Sequence, residues 1–214
     1  GGPAGLCYLP CMSTSQPFDI TAELEHARRA VRAAALVTRA VQQNLVQAVT
    51  LEKSDKSPVT VADFASQAVV AGTLARAGSA VRAMVGEEDA GDLRGDEGSK
   101  RRAQVVQHTR GVLGEDLSEE NVLSFIDFGG HQPALDAEGR ASGTYWTLDP
   151  IDGTKGFLRS EQYAIALALI HDGQVVLGAL GCPRLPVDMD ESDEGVLMLA
   201  ARGLGAFSEP LFRD

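Results

Sequence analysis

The chain has 214 residues, 44% of them hydrophobic and 23% charged, with a formal net charge of -11. That length suits one large domain or two small ones, and that share of apolar residues is enough for a packed core. The negative charge argues against a nucleic-acid backbone or an anionic membrane surface as the main partner. It leaves room for a small phosphorylated molecule, because a bound divalent cation inverts the local field.

Residues 1–18, beginning "GGPAGLCYLPCM", have neither a basic start nor a long apolar stretch. They read as a flexible leader or extension ahead of a domain at 19–214, not as a secretory signal. Met12 would serve as a natural start, which would make residues 1–11 a remnant. No apolar run reaches the ~18 residues of a membrane span. Cys7, Cys11 and Cys182 make no disulfide framework and read as free thiols in a reducing compartment. A cytoplasmic location is expected, with a plastid or mitochondrion as the alternative.

From Asp19 onward, Ile20, Leu24, Val31, Val41 and Val49 repeat at helical spacing with arginines on the other faces. Asp19 or Thr21 caps the start. The polar stretch "EKSDKSPVT" breaks this helix, and Pro58 excludes helix at Ser57, so the second helix is expected from about Val61 to Ala77 with Asp63 in its first turn. "AVRAMVGEED" reads as a short strand ending in acids. Residues 89–144 read as a helical insert, roughly Gln104 to Phe125, between mobile loops. Its runs Glu115–Asp116 and Glu119–Glu120 read as a solvated face.

The second half is patterned for strands. "YWTLD", "YAIALALI", "VVLGALG" and "GVLMLAA" are β runs. Asp172-Gly173 is a hairpin signal and "RGLG" marks another turn. Helices first and an antiparallel meander afterwards favour an α+β fold over a doubly wound parallel one.

The chemistry gathers where elements end. Asp63 stands early in the second helix, Glu87 and Glu88 end the short strand, Asp149 ends the next strand and Asp152 opens the turn after it. Taken singly, each acid reads as a cap or a surface charge. As a set, they repel unless a cation or a proton lies between them. Hard divalent cations such as Mg²⁺ take oxygen ligands. In "DPID" Pro150 stiffens the turn, leaving the Ile151 carbonyl to face such an ion. Gly153 and Thr154 then expose backbone N–H groups to an anion at a helix start. The Thr154 hydroxyl reads equally as a cap of that helix or as a partner for a cation-bound water. In the second role it needs a carboxylate such as Asp63 to take the proton. Lys53 and Lys56 read as loop charges, with phosphate steering as the alternative.

Together "SPVTVAD", "GEED" and "DPIDGTKGF", in that order and spacing, resemble the lithium-sensitive, magnesium-dependent phosphatase superfamily that includes inositol monophosphatase and fructose bisphosphatase. Within it, "KSDKSPVTVAD" and "DGTKGF" look more like the 3'(2'),5'-bisphosphate nucleotidases. The resemblance implies a layered α/β/α/β/α fold of sugar-phosphatase type. It also implies a phosphatase that cleaves the 3'-phosphate of 3'-phosphoadenosine 5'-phosphate, within nucleotide and sulfur assimilation metabolism. Glu87, Asp149, the Ile151 carbonyl and Asp152 would bind Mg²⁺. Asp63 and Thr154 would orient and deprotonate the attacking water, and the backbone of Gly153 and Thr154 would hold the phosphate. Glu88 would be a neighbour rather than a primary ligand.

Members of this superfamily continue into a second α/β domain with a W-D-x-A motif that binds metal and substrate. This sequence has one tryptophan, Trp146, and no W-D pair. The expectation is therefore the catalytic and metal-binding portion, with the second domain truncated and with self-association through the surface that domain would cover. The alternatives are an inositol polyphosphate 1-phosphatase-like activity, or a catalytically silent protein that binds metal or a partner.

Overall fold

The computed structural model describes residues 17–48, 57–186 and 194–213. Lys53 and Lys56, and most of the expected leader, lie outside them.

The first helix, α1 (Ile20–Ala48), starts where the acid predicts: Asp19 Oδ1 accepts from the Thr21 N–H at 2.9 Å. Packing begins just ahead of it, with Phe18 buried in the core. The second helix, α2, runs Ser57–Ala77, four residues earlier than the expected start at Val61. Pro58 falls in its first turn, where the backbone N–H that proline lacks has no intrahelical acceptor to lose. Asp63 consequently lies in the second turn and not the first. Helix α2 is apolar nearly all round, as a helix packed on every side must be. From Val61 to Gly72 only Asp63 is less than buried.

The insert is well packed. After α3 (Gly91–Arg94) and a 3₁₀ turn (Asp96–Gly98), it folds as α4 (Ser99–Leu113) and α5 (Glu119–Asp127) instead of one helix. Gly114, at φ 119°, ends α4, and a reciprocal Ser118–Asn121 capping box opens α5. Val105, Val122, Leu123 and Ile126 are buried, and both helices pack on α2. Their acids at 115, 116, 119 and 120 face solvent, as expected.

One six-stranded sheet follows chain order: β1 (Met84–Val85), β2 (Thr144–Asp152), β3 (Ala164–His171), β4 (Gln174–Pro186), β5 (Glu194–Ala201) and β6 (Gly205–Pro210). Strands β2 to β6 form the expected antiparallel meander. Asp172 and Gly173 both take positive φ, 47° and 70°, as the tight β3–β4 hairpin requires. Ile165, Leu167, Leu169, Leu197 and Leu199 are buried, and α1 packs on β3, β4 and β5. Leu180 and Met198, paired across β4 and β5, are exposed. The fold is mixed α+β, with helices preceding a largely antiparallel sheet. No described helix is long and apolar enough to cross a membrane.

The pairing that matters for the site is the one parallel pair among the described residues. β1 runs parallel to β2 with Met84 opposite Trp146 and Val85 opposite Thr147. Both strands therefore end at the same edge of the sheet. Continued by two residues, that register brings Glu87 level with Asp149.

Candidate active site

Three elements deliver the acids. β1 delivers Glu87 and Glu88, β2 delivers Asp149 and Asp152, and α2, which packs on β2, delivers Asp63. Their charges are near enough to act on one another, pair by pair. Burial, and then the charges of Glu88, Glu87 and Asp149, push the Asp63 carboxyl up to about 8. Burial, then Glu87 and Asp92, raise Glu88 to about 7, with Arg101 as the one opposing charge. Asp149 is also raised, by burial and then by Asp152, while the Ile151 N–H works the other way by donating to its Oδ1 at 3.1 Å. Burial first, and mutual repulsion after it, favour the neutral form of each of these carboxyls.

The pairing of β2 with β3 slips between Asp149 and Asp152. This bulge takes Pro150 and Ile151 out of the ladder and aims the end of the strand differently. The Pro150 carbonyl accepts from Ser66 Oγ on α2 at 3.2 Å. Gly153 follows at φ 95°, a left-handed conformation that favours glycine, and occupies the position before α6 (Thr154–Leu158). No side chain caps α6, and among the described residues the Thr154 hydroxyl makes no hydrogen bond. The alternative in which Thr154 caps its helix is thus not what the structure shows.

All seven residues singled out from the sequence, Asp63, Glu87, Asp149, Ile151, Asp152, Gly153 and Thr154, lie on this edge or on the helix beside it. Glu87, Asp149 and Asp152 are exposed, whereas Asp63 and Glu88 are half-buried. Glu88, read from the sequence as a neighbour, stands beside Glu87 with its carboxyl raised by burial and then by Glu87 and Asp92. Gln67 and Ser66 on α2 were not anticipated. The available signal was that they are polar residues in an otherwise apolar helix, three and four positions after Asp63, hence on its face.

The donor set is all oxygen and anionic, which suits a hard divalent cation. Among the described residues, no three acidic, histidine or cysteine side chains are already drawn up as a metal shell. The fit rests on the chemistry and charge of the donors rather than on a preformed cage. Two surface hollows of about 520 and 620 Å³ lie elsewhere, one against Leu180, Met198 and Phe207, the other between Arg140 and the β3–β4 turn. None of the five acids lines either of them.

Comparison with known proteins places the chain in a family. A family model described as the inositol monophosphatase family matches residues 19–211. The chain is similar to 3'(2'),5'-bisphosphate nucleotidase 1 of Arabidopsis thaliana, at 42% identity over 206 residues, covering 88% of this chain and 57% of that protein. It is similar to the 3'(2'),5'-bisphosphate nucleotidase of Schizosaccharomyces pombe at 41% identity over 211 residues, covering 92% and 57%. Among solved structures, it is similar to CysQ from Bacteroides thetaiotaomicron, described as a bacterial member of the inositol monophosphatase family, at 19% identity. The TM-score there is 0.47, over 88% of this chain and 49% of that one. The chain spans a little over half the length of the curated relatives it matches. Matched from the start of α1 to just past β6, it belongs to the inositol monophosphatase family.

Proposed function

We propose that this chain carries the cation-binding and water-activating part of a phosphoric monoester hydrolase, and that the substrate is 3'-phosphoadenosine 5'-phosphate, cleaved at its 3'-phosphate to AMP and phosphate. The observation that carries the reading is a carboxyl, Asp63, set on α2 beside Glu87, Glu88 and Asp149, where burial first and then those three charges push it up to about 8. The names of the curated relatives supply the substrate class.

In this reading Glu87, Asp149, the Ile151 carbonyl and Asp152 hold Mg²⁺. The bound cation supplies charge neutralisation and polarisation of the phosphate and of the attacking water. Thr154 hydrogen-bonds that water, and Asp63 accepts the proton that passes through the hydroxyl. The N–H groups of Gly153 and Thr154 hold the phosphate oxygens. Asp63 is protonated near neutrality when the cluster has no counter-charge, so it acts as a base only once the surrounding carboxylates are neutralised. Binding and catalysis are thereby coupled through one proton.

Calorimetric titration of Mg²⁺ into the wild-type chain and Asp149→Asn tests the cation reading. The variant loses a charge and a ligand while keeping the shape of the side chain, so weaker binding is expected. Equal affinities would remove Asp149 from the site. A phosphate-release assay with 3'-phosphoadenosine 5'-phosphate, AMP and an inositol monophosphate tests the substrate. Release from the first alone is expected, and equal release from all three would defeat the nucleotide reading.

A further inference from the structure

Gln67 is 0% exposed and stands one turn beyond Asp63 on the same face of α2. Its carboxamide Oε1 accepts from the backbone N–H of Glu87 and of Glu88, each at 3.0 Å. Its Nε2 donates to the carbonyl of Glu88 at 2.7 Å and to that of Ile126 at 2.8 Å. A carboxamide has two N–H donors and one oxygen with two lone pairs, so all four capacities are used. The arrangement also fixes which way round the amide lies, because reversing it would set donors against donors.

The surrounding backbone is shaped to this side chain. A Cβ on Gly86 would come within 2.4 Å of the Gln67 Oε1, and one on Gly129 within 2.4 Å of its Nε2. The Gly86 N–H donates to the Gly129 carbonyl at 2.8 Å, so the two glycines lie together over the amide. An amide buried in an apolar helix face is unfavourable unless it is paired. Three of this amide's four bonds go to one short turn, the turn that bears Glu87 and Glu88.

We propose that Gln67 is a positioning residue. Its buried amide, enclosed by Gly86 and Gly129, pins the Glu87–Glu88 turn to α2 and so sets both carboxylates against Asp63. The functional consequence rests on the reading of this cluster as a cation site. Gln67 itself touches neither cation nor substrate. It holds the backbone from which two of the acids project, in the way outer residues orient metal ligands. The fourth bond, to Ile126 at the end of α5, ties the packed insert to the same turn.

The test uses the whole chain and two readouts. The first is amide hydrogen exchange at Glu87 and Glu88 relative to the amides of β3. In the wild type both amides are expected to be protected, and exchange at the rate of an open loop would by itself overturn the clamp. Gln67→Met keeps the volume and removes the bonds, while Gly86→Ala keeps the amide and pushes it aside. Each is expected to speed exchange at residues 87 and 88 about 10-fold or more, since a buried N–H loses its acceptor. The second readout is Mg²⁺ affinity by titration calorimetry, expected to fall roughly 10- to 100-fold in both variants. Glu23→Ala, a buried carboxylate away from the acidic edge, serves as the control for general destabilisation and is expected to leave both readouts unchanged. Variants that bind Mg²⁺ no more weakly than Glu23→Ala, with wild-type exchange at 87 and 88, overturn the proposal. A wild-type chain that takes up no Mg²⁺ overturns the cation reading alone, and the exchange rates still decide whether Gln67 holds the turn.

Discussion

Ser66 on α2 donates its hydroxyl hydrogen to the carbonyl of Pro150 at 3.2 Å, linking the helix to the turn that bears Asp149 and Asp152. Gln67, the next residue, holds the turn of Glu87 and Glu88. Asp63 stands one turn before them. Three polar residues at i, i+3 and i+4 thus put one helical face at the centre of both acidic turns.

Removing the Ser66 hydroxyl should show what that link contributes. In Ser66→Ala the buried Pro150 carbonyl loses its partner, at a cost of about 1–3 kcal/mol. For a chain of this size, that is a lowering of the thermal midpoint by roughly 2–4 °C for each kcal/mol. On the proposed cation reading, Mg²⁺ affinity should fall as well, because the turn holding Asp149 and Asp152 is released. An unchanged midpoint and unchanged affinity would mean the bulge alone holds the turn.

A second buried network secures the other end of β2. Glu23 on α1, 1% exposed, accepts from Ser79 Oγ at 2.8 Å and from the Ala80 N–H at 2.7 Å, with His26 Nδ1 at 3.2 Å. Trp146 Nε1 donates to Ser79 Oγ at 3.3 Å. Glu23→Ala strands these donors and should destabilise the fold by about 1–3 kcal/mol, read from urea unfolding. Because the network stands three residues short of Asp149, Mg²⁺ affinity should be preserved. A variant as stable as wild type would make Glu23 dispensable.

Much of the fold was legible because its signals are local. Asp172-Gly173 announces its hairpin through the positive φ it adopts, and Asp19 caps the helix that follows it. The acid-bearing motifs "GEED" and "DPID" were legible as the ends of separate strands; that the two strands run parallel and end at one edge was not. What the sequence hid were partners far apart in the chain. Gln67 binds residues 21 and 59 positions away, and Ser66 one 84 positions away. The start of α2 was misread because Pro58 was taken as a barrier to helix at Ser57, when the first turn tolerates it. The relative burial of Glu87 and Glu88 was equally hidden.

The raised carboxyls of Asp63 and Glu88 make the cation-free chain sensitive to pH. Asp63 moves from an ordinary aspartate value of 3.8 to about 8, and Glu88 from 4.5 to about 7. Between about pH 4 and pH 8 the folded state therefore holds more protons than the unfolded state, so their contribution to stability, complete below pH 4, is lost as pH rises. Each proton gives a slope of up to about 1.4 kcal/mol per pH unit. Urea unfolding in a chelating buffer at pH 5 and pH 8.5 should show this decline, and Asp63→Asn should flatten it. Mg²⁺ binding should release protons and tighten as pH rises. Identical slopes in wild type and Asp63→Asn would show that Asp63 titrates as in the unfolded chain.

Thr154 separates structure from chemistry most cleanly. Its hydroxyl caps nothing and, among the described residues, makes no hydrogen bond, while Gly153 supplies the turn into α6. Valine matches threonine in shape and keeps the backbone N–H that would face a phosphate. Thr154→Val should therefore leave the unfolding midpoint and Mg²⁺ affinity where they are. If, as proposed, the chain hydrolyses 3'-phosphoadenosine 5'-phosphate and the hydroxyl passes the water's proton to Asp63, turnover should drop by about 10²-fold or more, within the range typical of general-base assistance. The loss should appear in kcat with KM little changed, because the hydroxyl meets the water and not the nucleotide. Wild-type turnover in this variant would remove Thr154 from the water-activating pair and leave Asp63 to take the proton directly.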